Sequence, residues 1–360
     1  MEQVCKRQKR DFDEAKLENL PEEIILKILC SVNIWDLFQC MAVNKKIREI
    51  ANDQTLWNKM HIDGDYYGHG NGLPAELFSQ IIAKGCQYLS LFNCKIVKND
   101  AIKFVKQFQL KYLCVDNASD EVDENGEDDS FKILPDFAAS CYNLEKLSIK
   151  RLDHLHPEIS QIESKFFKCI IQNSDTLKVL DLTEIELSLA SVQRIFMLCQ
   201  NLTELNIAAD HCMTTNTQLC SESVDFICNN LTTTIEKLDI TGQLSFGDDE
   251  FKTLIKRCNR ISELSFFGTN VTPDSMNTIV ETLSESLVKL RPGIGFSFNS
   301  KLKLAYMPKL KVILNSRLPY KKGEELRIAE PYPSFDSDDE KAELVPSGFW
   351  EIKAKLLTYL

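Results

Sequence analysis

Cys86-Gln87-Tyr88-Leu89-Ser90-Leu91-Phe92-Asn93-Cys94-Lys95-Ile96 decides the fold. It follows the pattern L-x-x-L-x-L-x-x-N/C-x-L, with a small apolar cysteine in the first place. One match means little, but the chain makes it again at Leu110/Leu113/Val115, Leu144/Leu147/Ile149, Leu177/Leu180/Leu182 and Leu202/Leu205/Ile207. Further copies follow at Ile235/Leu238/Ile240, Ile261/Leu264/Phe266 and Leu287/Leu290. Successive starts lie 24, 34, 33, 25, 33, 26 and 26 residues apart. Self-similarity at this period is the signature of stacked repeats.

Each copy supplies apolar residues at alternate positions, a strand pattern, and then helical spacing such as Leu187–Leu198 or Phe251–Arg257. Three of these stretches end alike, in Cys141-Tyr142-Asn143-Leu144, Cys199-Gln200-Asn201-Leu202 and Cys258-Asn259-Arg260-Ile261. A small apolar residue there suits a tight, buried helix-to-strand turn. One strand and one helix cannot bury their own apolar faces, whereas stacked copies share a continuous core. The expected fold is α/β, a solenoid over 86–315 with parallel strands on the concave face and helices on the convex face. The copies resemble the cysteine-containing class of leucine-rich repeats. Leu310-Lys311-Val312-Ile313 reads as one more degenerate repeat or as a cap.

Strand period sets which residues face outward. Leu147 and Ile149 point inward, which leaves Lys146, Ser148 and Lys150 on the concave side. The same logic exposes Val179, Asp181 and Thr183; Glu204, Asn206 and Ala208; Lys237, Asp239 and Thr241; and Glu263, Ser265 and Phe267, with Lys289 and Arg291 closing the row. The candidate recognition residues are Lys150, Asp181, Asn206, Asp239, Phe267, Lys289 and Arg291. Phe267 has the profile of an aromatic anchor among polar neighbours.

Ahead of the repeats, Leu17–Trp57 reads as three short helices. Pro21 suits a first helical turn, and Glu22 and Glu23 suit its positive end. A second helix is predicted from Asp36-Leu37 and a third around Ile47, Ile50 and Ala51, with Leu56-Trp57 closing the unit. Some 45 residues cannot cover this many apolar groups alone. The stretch reads as a docking module or a self-contained bundle.

Leu20-Pro21-Glu22, Ile28-Leu29, Asp36-Leu37, Val43 and Leu56-Trp57 fall at the spacing of the F-box motif, and the stretch resembles that family over nearly its whole length. The resemblance implies docking of residues 17–60 on the Skp-type linker of a cullin–RING ubiquitin ligase, through Leu20, Pro21, Ile24, Ile28, Leu29, Leu37, Val43, Ile47 and Trp57. Asn44 and Ile47 stand where the family usually has Cys and Trp, which implies weaker docking. An F-box followed by leucine-rich repeats looks like the substrate-receptor class of SCF ligases. Thr233–Gly242, Leu254–Cys258 and Phe349–Lys353 look like its S-phase kinase-associated branch. That likeness implies a cyclin-kinase-binding accessory protein and a phosphorylated substrate at the basic end, Lys289 and Arg291.

Charge and composition narrow the rest. The net charge is −11, and residues 116–130 and 330–343 carry −8 and −5 of it, so the remainder is near +2. Bulk electrostatics therefore disfavour nucleic acid. Residues 1–16 read as a disordered tail with a basic cluster at Lys6–Arg10, a nuclear signal or a solvated tail. No secretory leader or membrane helix is expected. The 13 cysteines then read as reduced, in nucleus or cytoplasm, and mostly as buried small hydrophobes.

Residues 61–85, with Gly64, Gly68, Gly70, Gly72 and Pro74, read as a connector ending in a helix over 76–83. Residues 316–360 read as an acidic loop and a tail, Phe349–Leu356, that packs back on the solenoid. Catalytic, metal and cofactor sites are not expected. Asp210, His211, Cys212 and Cys220 form a weak cluster, and His154 and His156 read as a surface turn. Ser337, before Asp338-Asp339-Glu340, suits an acidophilic kinase or is simply solvated.

Overall fold

The computed structural model describes residues 17–63, 80–92, 94–96, 110–116, 119–120, 137–150, 159–209, 217–293 and 307–313. The Lys6–Arg10 cluster, the acidic run beyond Asp120, His154, His156, Asp210–Cys212, Ser337 and the 316–360 segment lie outside them.

Four helices come first: α1 Glu22–Leu29, α2 Ile34–Val43, α3 Lys45–Ala51 and α4 Gln54–Trp57. Their starts follow from local chemistry. The side chains of Asn33, Asn44 and Asp53 accept the backbone N–H of Asp36, Ile47 and Thr55, each at 2.9 Å. Each bond satisfies a donor that the first helical turn leaves orphaned. Two boundaries differ from expectation. Pro21 stands just outside α1 as its N-cap, with an extended ψ of 147°, while its carbonyl already accepts from Ile24 and Ile25. The second helix starts at Ile34, ahead of Asp36, because Asn33 is the residue placed to cap it.

Two residues after α4 the chain enters a ten-stranded sheet. Its strands are β1 Lys59–Asp63, β2 Tyr88–Phe92, β4 Tyr112–Asp116, β6 Lys146–Lys150, β7 Val179–Asp181, β8 Glu204–Asn206, β9 Lys237–Asp239, β10 Glu263–Ser265, β11 Lys289–Arg291 and β12 Val312–Ile313. They lie in that order, every neighbouring pair parallel. A second parallel pair, β3 Lys95–Ile96 and β5 Ser119–Asp120, forms beside the first repeats. Every repeat start read from the sequence delivers its strand, and Leu310–Ile313 supplies the last one.

The sheet begins earlier than the repeats suggest. Residues 61–63, read as connector, belong to β1, whose Met60 and Ile62 turn inward and whose Lys59 pairs with Tyr88. Five residues with one apolar pair, followed by glycines, carry too little periodicity to reveal a strand.

Helices α5 Ile159–Gln172, α6 Leu189–Leu198, α7 Ser221–Asn230, α8 Asp248–Arg257 and α9 Met276–Leu283 connect successive strands. Each described face is apolar at i, i+3 and i+4: Val192, Ile195 and Phe196; Val224, Ile227 and Cys228; Phe251, Leu254 and Ile255. Burying one such Leu, Ile or Phe is worth about 1.5–3 kcal/mol. These side chains meet the inward strand residues in one core that runs from Ile25 in α1 to Met307 before β12. Helical unit and solenoid are thus packed as one body.

Buried amides stitch the repeats. Asn173 donates to the carbonyls of Cys141 and Cys169 at 2.9 and 2.8 Å and accepts from Leu144 N–H at 2.9 Å. Gln243 does the same for Ile207, Thr217 and Leu219. Each is almost wholly buried, so its polar atoms need these partners.

Candidate docking and recognition surfaces

The helical unit divides into an inner and an outer stripe. On α1, Ile25 and Leu29 are buried, whereas Ile24 and Ile28 remain 42% and 38% exposed. Val43, at the end of α2, is 66% exposed, and Pro21, immediately ahead of α1, is exposed as well. Leu20 is half-buried, its carbonyl held by Lys46 Nζ at 3.1 Å. Large apolar side chains left open within so short a segment are what a contact surface looks like.

The other residues of the expected linker-binding set are inside. Leu29, Leu37, Ile47 and Trp57 are 2%, 3%, 2% and 0% exposed. They shape the surface from beneath and cannot themselves be touched. Trp57 donates its indole N–H to Ala51 O at 2.8 Å, meets the Phe38 ring edge-on at 5.3 Å, and carries Lys84 Nζ 4.7 Å above its ring. It wedges the helices against the start of the sheet. The family departures change meaning accordingly: Ile47 fills core and Asn44 caps α3, so neither takes area from an exposed face.

The sheet face opposite the helices is covered by ladders. Along the first strand position, Lys237 bridges Glu204 at 2.9 Å and Glu263 at 3.8 Å, and Lys289 meets Glu263 at 3.4 Å. Lys150 pairs with Asp181 at 2.8 Å. Burial opposes the Lys150 charge, but Asp181 outweighs it and lifts the ammonium pKa above the usual lysine value. Arg291 lies 5.1 Å over the ring of Phe267. Ser148 and Thr241, expected in the open, are 5% exposed, because each small side chain sinks between longer neighbours and bonds across the ladder, to Asp181 and Ser265.

Three expected recognition residues have local duties. Asp181, Asn206 and Asp239 accept the N–H two residues on, from Thr183, Ala208 and Thr241, at 3.3, 3.0 and 2.9 Å. This Asx turn bends the chain off the strand at the same place in these three repeats. Burial pushes the Asp239 carboxyl pKa up, against the hydrogen bonds from Thr241 and the nearby Arg291 charge. The recognition set therefore splits into turn builders (Asp181, Asn206, Asp239), ladder members (Lys150, Lys289) and an aromatic–guanidinium pair (Phe267, Arg291).

The sequence set missed the first strands. Lys59, Tyr88, Tyr112 and Lys146 occupy one register row across β1, β2, β4 and β6. The signal was available in the repeats, since Tyr88, Tyr112 and Lys146 each stand one residue before an inward strand leucine, as Lys237 does before Leu238. Burial pushes the Tyr112 hydroxyl pKa up, and Cys114 adds to it.

Five buried thiols are poor nucleophiles. Burial pushes Cys86 and Cys258 up to about 11, and Cys169, Cys199 and Cys228 up to about 12. Among the described residues, no group of three His, Cys, Asp or Glu could hold a metal ion, and no helix is long and apolar enough to cross a membrane.

Comparison with known proteins gives the helical unit a family likeness. Residues 17–63 match the F-box-like family model. The F-box-like segment thus includes β1 along with the four helices, in keeping with their fusion. No curated protein matches the chain. Among solved structures, the leucine-rich-repeat-containing protein LegL7 of Legionella pneumophila is similar at 14% identity and a TM-score of 0.38, over 68% of this chain and 79% of that one.

Proposed function

We propose that this chain is the substrate-recognition subunit of an SCF ubiquitin ligase, non-catalytic in itself. Its F-box-like segment docks on a Skp-type linker and through it on a cullin–RING scaffold. Its open sheet face holds a protein substrate for ubiquitination and proteasomal degradation. The observation that carries the reading is a set of exposed apolar side chains, Ile24 and Ile28 one turn apart on α1 together with Pro21 and Val43, within the stretch that matches the F-box-like model. Apolar burial of such side chains in a groove is the usual physics of helix recognition. Rate enhancement comes from proximity: the substrate is held where the charged ubiquitin carrier can reach its lysines.

Finer features of the reading come from the sequence resemblance. The receptor is of the S-phase kinase-associated kind, acts on cell-cycle regulators in the nucleus or cytoplasm, and takes a phosphorylated substrate with a cyclin-kinase-binding accessory protein near Lys289 and Arg291.

A second reading, a non-catalytic repeat scaffold whose helices merely cap the solenoid, is favoured by the shared core and by β1 following α4 directly. Partner mass spectrometry separates the two. In the receptor reading, linker and cullin disappear from captures with Ile24→Asp plus Val43→Asp while other partners stay. The scaffold reading gains if wild-type protein captures no linker. Deleting residues 17–60 is a poorer test, because it removes the helices that cover the end of the core.

A further inference from the structure

Most charges on the open sheet face neutralise one another. Glu204, Lys237, Glu263 and Lys289 form one alternating ladder, and Lys150 is matched by Asp181. The end next to the F-box-like helices differs. Lys59, Lys111 and Lys146 are exposed, and none forms an ion pair among the described residues. Between Lys59 and Lys146 stand two half-buried rings, Tyr88 and Tyr112, side by side in the parallel register. Lys59 Nζ lies 5.3 Å from the centre of the Tyr88 ring, so the cation and the aromatic surface are contiguous. Positive charge thus flanks the two rings: Glu145 lies near enough to interact with Lys111 and Lys146, and Asp116 with Tyr112, but none of the three lysines is in ion-pair contact with a described acid.

From this row we infer a recognition site for an acidic, extended protein segment carrying acid-x-Φ-x-acid, where Φ is aromatic or large and apolar. The spacing argues for that occupant. Three inter-strand steps separate Lys59 from Lys146, about 14 Å at ~4.8 Å each. In an extended peptide, residues i and i+4 lie about 13 Å apart at ~3.3 Å per residue, and i, i+2 and i+4 share a face. Two carboxylates then meet Lys59 and Lys146 while the middle side chain lies on Tyr88 and Tyr112. Lys111, one residue ahead of Tyr112, adds positive charge at the edge. A long polyanion such as nucleic acid fits less well, since the row is short and the whole chain repels it. The inference rests on reading the open face as protein-binding and is independent of linker docking.

The test is fluorescence anisotropy of the full chain with a labelled Ser-Glu-Ser-Phe-Ser-Glu-Ser peptide, against the same peptide with glutamine for glutamate. The expected result is tighter binding of the acidic peptide, weakened about tenfold by Lys59→Glu with Lys146→Glu and less by the corresponding glutamine pair. Lys256→Glu, on helix α8 away from the sheet face, leaves it unchanged. Lys59, Lys146 and Lys256 are exposed, and an unchanged melting temperature confirms that the variants fold. Equal binding of both peptides overturns the inference, as does no saturable binding, an unaltered double variant, an equal loss in Lys256→Glu, or stronger competition by an oligo-dT octamer. Linker binding measured in parallel keeps the two ideas apart: its absence in wild type overturns the receptor reading alone.

Discussion

At the residue scale, position in the repeat decides what each side chain does. Glu184, Gly242 and Gly268 stand three residues beyond Asp181, Asp239 and Ser265, which are register-equivalent through the sheet. All three have left-handed backbones, with φ of 59°, 77° and 72°. Glycine adopts that conformation freely, whereas a residue with a Cβ is strained by about 1–2 kcal/mol. Glu184→Gly is expected to stabilise the fold by up to about 1 kcal/mol, the strain relief being partly offset by glycine's greater unfolded-state entropy. Denaturant unfolding measures it, and a loss of stability would show that the glutamate side chain contributes more than its backbone costs. The cysteines give a second expectation. Exposed Cys30 and Cys220 should react with iodoacetamide at pH 8 in the native protein, while Cys86, Cys169, Cys199, Cys228 and Cys258 stay unmodified until it unfolds. Early labelling of any of those five, read by mass spectrometry, would contradict the burial that holds their thiols protonated.

At the scale of elements, junctions between repeats depend on side chains that reach from one helix start to the next. Asp248, at the head of α8, accepts Thr272 N–H at 3.0 Å, Thr272 Oγ1 at 2.6 Å and the Ser275 hydroxyl. Burial works against its charge, but the hydrogen bonds from Ser275 and Thr272 prevail and hold its pKa below the ordinary carboxylate value. A depressed pKa adds stability that is complete above the unfolded-state pKa and is lost as pH falls through the folded one. Asp248→Asn is therefore expected to cost about 1–2 kcal/mol at pH 7, with the gap from wild type closing below about pH 4. Thermal melts across pH 2–7 test this, and a constant gap would exclude the carboxylate as its source.

The same elements show what could be read in advance. Strands β2, β4 and β6 to β11 were legible because eight copies repeat one apolar spacing. β1 was not, because Lys59–Asp63 offers only Met60 and Ile62 before the glycines. Outward direction was legible for Lys150 or Phe267. The Asx turns of Asp181, Asn206 and Asp239, and the sinking of Ser148 and Thr241, depend on neighbouring strands and leave no mark in a single repeat.

At the scale of the molecule, the helical unit and the solenoid share a core, and Trp57 joins them. A partner held on the helices is thereby fixed in orientation relative to one held on the sheet, as a receptor that works by proximity requires. Four of the nine residues in the motif-matched linker set, Leu29, Leu37, Ile47 and Trp57, maintain that architecture, Leu20 is half-buried, and Pro21, Ile24, Ile28 and Val43 remain available for contact. Motif spacing names both groups alike, since it records which residues matter and not which face they present. The most direct measurement is a calorimetric titration of purified Skp-type linker into the full chain and into Ile24→Asp plus Val43→Asp. The receptor account expects saturable binding by wild type and at least a hundredfold loss in the variant, about 2.7 kcal/mol, with an unchanged melting temperature. Absence of binding by wild type, or equal binding by a folded variant, would contradict it.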